Sequence, residues 1–364
     1  MIMRKGMTIK CALLIASAAI LAAGCGKEDA FGGKYSRKAG DPVVFGVGTA
    51  QELGTRVEYR AGTYTDGQLQ PIDWKAGDMI RVYSPDASRD FVAGGVEHWA
   101  DYTVNPKSDD KSLGTLSNVQ PNGLAWGDAG NHTFYGFYPS PKTDEADVPA
   151  GASGKFSYTI PAAQTADVQM EYAYMTAYAS ASNNKVSGDA VRLDFYAGFT
   201  TFELDLTASE PLTVHSFELS SNSMKVAGPC TIQYNTAGTP VCTPATGASD
   251  KVTVDFGTTG KTYQNGESFK IVVFALPLDL TGMKIKFTVS TPNSTNPART
   301  NSLELKYADT AKTGTPGEYV TFGARKYHKL KGLVTPHSTK LIQVNSQVVD
   351  WVSKGQTSVD VIPQ

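Results

Sequence analysis

The chain has 364 residues, 41% hydrophobic and only 19% charged, which is enough apolar material for large cores and too much chain for one small sandwich. Thirty-three basic side chains against 35 acidic ones leave a net charge of −2, and no basic stripe interleaved with aromatics runs along the sequence, so nothing favours a nucleic-acid partner. Gly 35, Pro 19, Tyr 17 and Phe 15 point to short aromatic strands separated by many turns, an all-β architecture.

The N-terminus reads as a targeting segment. MIMRKGMTIK carries Arg4, Lys5 and Lys10, and the apolar run CALLIASAAILAA is too short to span a bilayer comfortably. It ends in LAAGC, which resembles the lipobox of bacterial lipoproteins, although Leu21 sits one place further from the cysteine than in the usual pattern. The resemblance implies a signal peptide over residues 1–24 and a lipid on Cys25 that holds the chain to a bilayer, where two acyl chains anchor far more firmly than one. The alternative is an ordinary secretory signal with an incidental cysteine. Lys27, Glu28 and Asp29 come next and are similar to the surface-export signal of lipoproteins in Bacteroides-type bacteria. Without that role, residues 25–42 are a solvated tether.

The first strand signal is VVFGVGT. Val43, Phe45 and Val47 alternate with Val44, Gly46 and Gly48, so one face is bulky and the other nearly bare, as in an edge strand. A polar loop follows and ends at Arg56, with Arg60 close behind. DMIRVYS, HTFYGFYP and KFSYTIP are the next expected strands, and in AQTADVQMEYAYMTAYAS the aromatics favour loop plus strand over helix. The polar stretch SASNNKVSGDA suggests a boundary, with one domain over 43–186 and a second over 187–364.

In the second domain, VRLDFYAGFTTFELDL, LTVHSFELS, KVTVDF, SFKIVVFALP, MKIKFTVS and SLELKY read as strands. The first of these carries an expected bulge at Gly198. SFKIVVFALP is apolar on both faces, the pattern of a central strand. Cys230 and Cys242 flank TIQYNTAGTPV, two strand-like pieces. A three-residue turn centred on Thr236 would place the cysteines opposite each other, either as a disulfide in an oxidising compartment or as two free thiols. Over 339–364, TKLIQVNSQVVDWV and TSVDVIPQ are alternating and extended, and Val359 and Val361 share one face of the last piece.

A search for chemistry finds no catalytic constellation, cofactor motif or metal motif. GVGTAQ is not a dinucleotide fingerprint. His98, His132, His215, His328 and His337 are scattered, with none at zinc-ligand spacing. The acids of SDDKS and TDEAD lack the EF-hand pattern and read as solvated loops. Trp74, Trp99, Trp126 and Trp351 are core or loop anchors, or platforms for sugars. The chain is therefore expected not to be an enzyme and to need no cofactor.

IDWKAGDMIRVY, HTFYGFYPS, YTIPAAQT, VRLDFYAGFTTFELDL, FALPLDLTGMKIKFTV and YHKLKGL, in this order behind the lipobox, resemble the recurrent segments of the fimbrillins, pilin lipoproteins of Bacteroides-type Gram-negative bacteria. The resemblance implies two tandem transthyretin-like, Greek-key β-sandwiches on an outer-membrane lipoprotein at the cell surface. It also implies a trypsin-like maturation protease that cuts after an arginine behind the first strand, here Arg56 or Arg60. The removable strand would carry Val43, Phe45 and Val47. A C-terminal strand of the next subunit, here the piece with Val359 and Val361, would replace it, and repetition would build a fimbrium. Partners would be other subunits of the same type and a host protein or glycan. The alternatives are an anchor or tip subunit, or a surface lipoprotein adhesin that does not polymerise.

Overall fold

The computed structural model describes residues 38–49, 58–59, 72–89, 97–128, 130–140, 155–165, 172–182, 190–235, 238–292, 298–306, 317–336, 343–349 and 357–361. Among these residues the fold is all-β, with no α-helix. In the first part of the chain run β1 (Phe45–Thr49), β2 (Glu58–Tyr59), β3 (Ile72–Asp73), β4 (Met79–Tyr83), β5 (Ser88–Arg89), β6 (Trp99–Pro106), β7 (Leu113–Asn118) and β8 (Leu124–Ala125). They are followed by β9 (Asn131–Tyr138), β10 (Lys155–Ile160), β11 (Ala163–Gln164), β12 (Met175–Ser182), β13 (Val191–Ala197), β14 (Thr200–Ala208), β15 (Leu212–Ser221), β16 (Gly228–Tyr234) and β17 (Pro240–Pro244). The last are β18 (Lys251–Asp255), β19 (Lys261–Tyr263), β20 (Ser268–Ala275), β21 (Met283–Ser290), β22 (Arg299–Glu304), β23 (Tyr327–Val334), β24 (Gln343–Val349) and β25 (Thr357–Val361).

Seven strands close into a barrel in the order β1-β13-β12-β9-β4-β6-β7 and back to β1. Its interior follows from period-two alternation. Ile80 and Val82, Tyr102 and Val104, Phe134, and Leu193 and Phe195 all point inward and are buried. Gly136 is there because a side chain would run into the Phe195 ring at 2.7 Å. The second part holds two sheets, β11-β18-β15-β21-β22 with β19 beside β15, and β20-β14-β23-β24-β25. Alternation in β21, where every second residue is buried, gives the first of these sheets an apolar face, and buried residues of both sheets belong to the same continuous core as the barrel.

A three-stranded sheet, β10-β16-β17, joins the two parts. It covers the outer face of the barrel with aromatic rings. Phe137 stacks on Phe156 at 4.8 Å, Tyr158 lies 4.6 Å from Tyr174, and Tyr234 contacts Tyr135 and Tyr178 at 5.8 and 5.6 Å. Its edge strand β17 begins and ends with proline, which blunts an open edge.

Several expectations change at this level. The segment around Gly198 is a change of sheet, not a bulge: β13 stays in the barrel while β14 starts the second part. Gly198 is needed because a side chain would meet the Tyr158 hydroxyl and the Tyr174 carbonyl, both at 3.0 Å. β13 pairs within the barrel, and β10 and β11 pair into later strands. SFKIVVFALP contains β20, which among the described residues pairs with β14 alone and stands at the edge of its sheet. Residues 271–275 are buried on both faces, and the Gln164 side chain covers the backbone edge there, donating to the Phe274 carbonyl at 2.8 Å and accepting from the Phe274 N–H at 2.9 Å. The bulge of this part lies in β15, where the register shifts between Val214 and Ser216 and His215 bonds Ser290 at 2.9 Å.

Candidate functional site: the barrel-closing strand

The feature that sets this barrel apart is where β1 sits. Alone, VVFGVGT reads as an edge strand. In the structure it is the closing strand, parallel to β13 on one side and antiparallel to β7 on the other. Phe45 stands opposite Val191 and Val47 opposite Leu193, while Val47 also faces Gly114 of β7. A side chain at Gly114 would meet Asn105 O at 2.9 Å and Val47 Cγ2 at 3.2 Å, so this glycine leaves the space that Val47 fills.

The inward face of β1 is bulky as expected. Val43, Phe45 and Val47 are only 6%, 2% and 3% exposed, whereas Val44 between them is 51% exposed. Phe45 presents its ring to the edges of Tyr102 and Phe134 at 5.3 and 5.2 Å. Burial of these three side chains amounts to roughly 5–9 kcal/mol of hydrophobic stabilisation. The lead-in is tied down too: Gly40 N–H donates to Trp126 O at 2.7 Å, Trp126 N–H to Asp41 O at 2.9 Å and Val43 N–H to Leu124 O at 2.9 Å. Taking this segment away would open the barrel between β13 and β7 and leave two facing rows of unpaired backbone groups.

At the far end, β25 pairs antiparallel with β24, Ser346 facing Val359 and Val344 facing Val361. The last strand is thus the outer member of its sheet, with one backbone edge outside the hydrogen-bonded order. Cys25, Lys27, Glu28, Asp29, Arg56 and Arg60 lie outside the described residues, as do His337 and Trp351.

The cysteines are placed differently from the expected pairing. Asn235 and Gly238 build a longer turn, in which Asn235 N–H donates to Thr239 O at 3.0 Å and Gly238 takes φ +74°. Cys230 therefore faces Pro244, and Cys242 faces Ile232. The two are diagonal neighbours and free thiols. Diagonal positions hold Cα atoms about 7–8 Å apart, beyond the usual reach of a disulfide. A hydrogen bond links the thiols. That bond, with burial, pushes Cys230 up, and the same bond, aided by Arg325, holds Cys242 below its ordinary value.

The tryptophans are structural among the described residues. Trp74 and Trp126 are 1% and 2% exposed, and Trp99 carries the guanidinium groups of Arg81 and Arg89 at 4.0 and 5.0 Å from its ring centre. No group of three or more metal-ligating side chains occurs among the described residues. One buried ion pair stiffens the barrel wall. Arg81 donates to both oxygens of Asp101 at 2.7 and 2.8 Å, and Ser140 and Gln120 add bonds to the same carboxylate. Burial pushes the Asp101 carboxyl up, but these bonds outweigh it and hold it below the usual carboxylate range.

The fimbrillin-like family matches over residues 55–351, and the chain belongs to that family. None of the curated proteins compared matches it. Among solved structures, a proposed cell adhesion protein of Bacteroides uniformis superposes with a TM-score of 0.51 at 15% identity, over 85% of this chain and 98% of that one. A second, from Bacteroides ovatus, gives 0.48 at 15% identity over 87% and 100%. The fimbrial anchor protein Mfa2 from Porphyromonas gingivalis gives 0.36 at 9% identity over 87% and 99%. Membership of the fimbrillin-like family supports a fimbrial-type role.

Proposed function

We propose that this chain is a fimbrial subunit exported as a surface lipoprotein on Cys25, and that it polymerises when β1 is cut away and a C-terminal strand of a neighbour takes its place. The observation that carries the reading is the double pairing of β1. A strand that merely ended a sheet would leave one open edge when lost, and the rest could stay folded. Loss of this one opens a slot with apolar walls and hydrogen-bonding groups on both sides, and an added strand satisfies both needs. β25 of a second copy suits the role because it is extended and hangs from its own sheet by one edge only. Lys27, Glu28 and Asp29 would direct export, and cutting at Arg56 or Arg60 would release the lipid together with β1.

Low-dose trypsin on the precursor lacking its signal tests this. The expected result is a new N-terminus after Arg56 or Arg60, followed by laddered oligomers in mild detergent. A resistant loop with a persistent monomer would overturn it in favour of an anchor or a non-polymerising adhesin. Deleting residues 356–364 should remove the ladder without unfolding the monomer.

A further inference from the structure

The outer face of β1 differs between its two glycines. A side chain at Gly46 would meet only Gly114 O at 3.8 Å and Ala190 Cβ at 3.9 Å, which are ordinary contacts. At Gly48 it would run into Asp194 Oδ1 at 2.8 Å and Arg192 Nη2 at 3.0 Å. An ion pair between those two side chains, 2.7 Å long, lies across that glycine. Arg192 is the residue opposite Gly46 in the parallel ladder, and Asp194 is opposite Gly48. The side chains are 62% and 40% exposed, so little energy holds this pair together.

The segment TSVDVIPQ carries one acid between two valines. When an incoming strand places Val359 and Val361 at the sites of Phe45 and Val47, Asp360 falls at the site of Gly46. This holds whichever way the strand runs. The position is open, and Arg192 is its ladder partner in β13, with a guanidinium that now reaches over Gly48 and would have to swing back to meet an acid at the site of Gly46. A shift of two places toward residue 43 carries Asp360 away from Arg192. In a parallel strand it also drops Pro363 at the site of Val47, where its missing N–H would leave a slot acceptor without a donor. A shift the other way puts Asp360 under the existing ion pair, where its Cβ would run into Asp194 Oδ1 at 2.8 Å and Arg192 Nη2 at 3.0 Å. The pair would have to part, and two like charges would share the arginine.

We propose that Arg192 sets the register of an incoming strand from a second copy of this chain, releasing Asp194 and pairing with that copy's Asp360. This rests on the strand-exchange reading above. Arg192 acts as a positioning residue: the valines supply the burial, and the ion pair selects one of several valine-compatible registers.

Full precursors carrying Arg192→Gln, Asp360→Asn, both, or Asp194→Asn are cut with trypsin, and ladder growth is followed after the protease is inhibited. Each of the first two substitutions should slow ladder growth by about fivefold, and the pair should be no slower than either alone. Asp194→Asn should leave growth as fast as the parent or faster, whereas a structural role of the Arg192–Asp194 pair would slow it. Single substitutions that assemble like the parent, or a double variant slowed by about the product of the singles, roughly twenty-fivefold, would overturn the proposal. Absence of ladders from the cut parent would overturn the strand-exchange reading itself, and this proposal with it.

Discussion

Phe45 is the residue on which the barrel closure leans most, because its ring is nearly fully buried against two other rings. Phe45→Ala should destabilise the uncut precursor by about 3–5 kcal/mol in urea unfolding, while Val44→Ala, on the exposed side, should stay within about 0.5 kcal/mol. Asp101 gives a pH signature. Its folded pKa is depressed, so its contribution is present above the unfolded value of about 4 and is lost as pH falls through the folded one. Asp101→Asn should flatten that acid limb and cost about 3–5 kcal/mol at neutral pH, since Arg81 is left buried without its counter-charge; pH-dependent melting checks both. Cys242 is half-buried and its thiol is held below its ordinary value, whereas Cys230 is 1% exposed and pushed up, so alkylation followed by peptide mass mapping should label Cys242 first. At this scale the inward valines and Phe45 were legible from alternation alone. That the Arg192–Asp194 pair lies across Gly48 was not, because contact between Gly48 and β13 depends on a parallel pairing that no local pattern encodes.

The strands themselves were largely written in the sequence, and the misses have identifiable causes. β6 and β7 escaped notice: β7 carries Gly114 where an inward bulky residue is expected, since Val47 of β1 occupies that space. Period-two alternation also says nothing about partners. It could not show that β1 has two, or that β20 ends its sheet under a glutamine side chain. The cysteine register slipped because Asn235 and Gly238 extend the turn. The fit between β1 and its proposed replacement can be read at this level too. The site of Phe45 holds a ring, and a valine there fills less of it, a loss of about 1 kcal/mol. A strand parallel to β1 would put Val359 there, and an antiparallel one Val361. One of Val359→Phe and Val361→Phe should therefore raise the temperature at which ladders dissociate in detergent. The other, pressed against Gly114 at the site of Val47, should lower it. Equal effects would mean that neither valine enters the Phe45 site.

The molecule as a whole is one continuous core, with the aromatic sheet β10-β16-β17 fastening the barrel to the later strands. Under the strand-exchange proposal, rings from distant parts of the chain would help the barrel keep its shape without β1, because β9 and the start of β12 are packed from outside by Phe156, Tyr158 and Tyr234. The order of segments pointed to the family, and the structure adds which strand closes the barrel and which edges it covers. The central claim, that β1 is a removable stopper in a slot another strand fills, is tested most directly by hydrogen exchange at residues 113–115 and 191–195. The amides there that bond to β1 should be protected in the uncut precursor, exchange fast in the cut chain lacking residues 356–364, and be protected again in ladders of the cut full chain. Protection that persists in the cut monomer, or fast exchange that continues within ladders, would contradict the account.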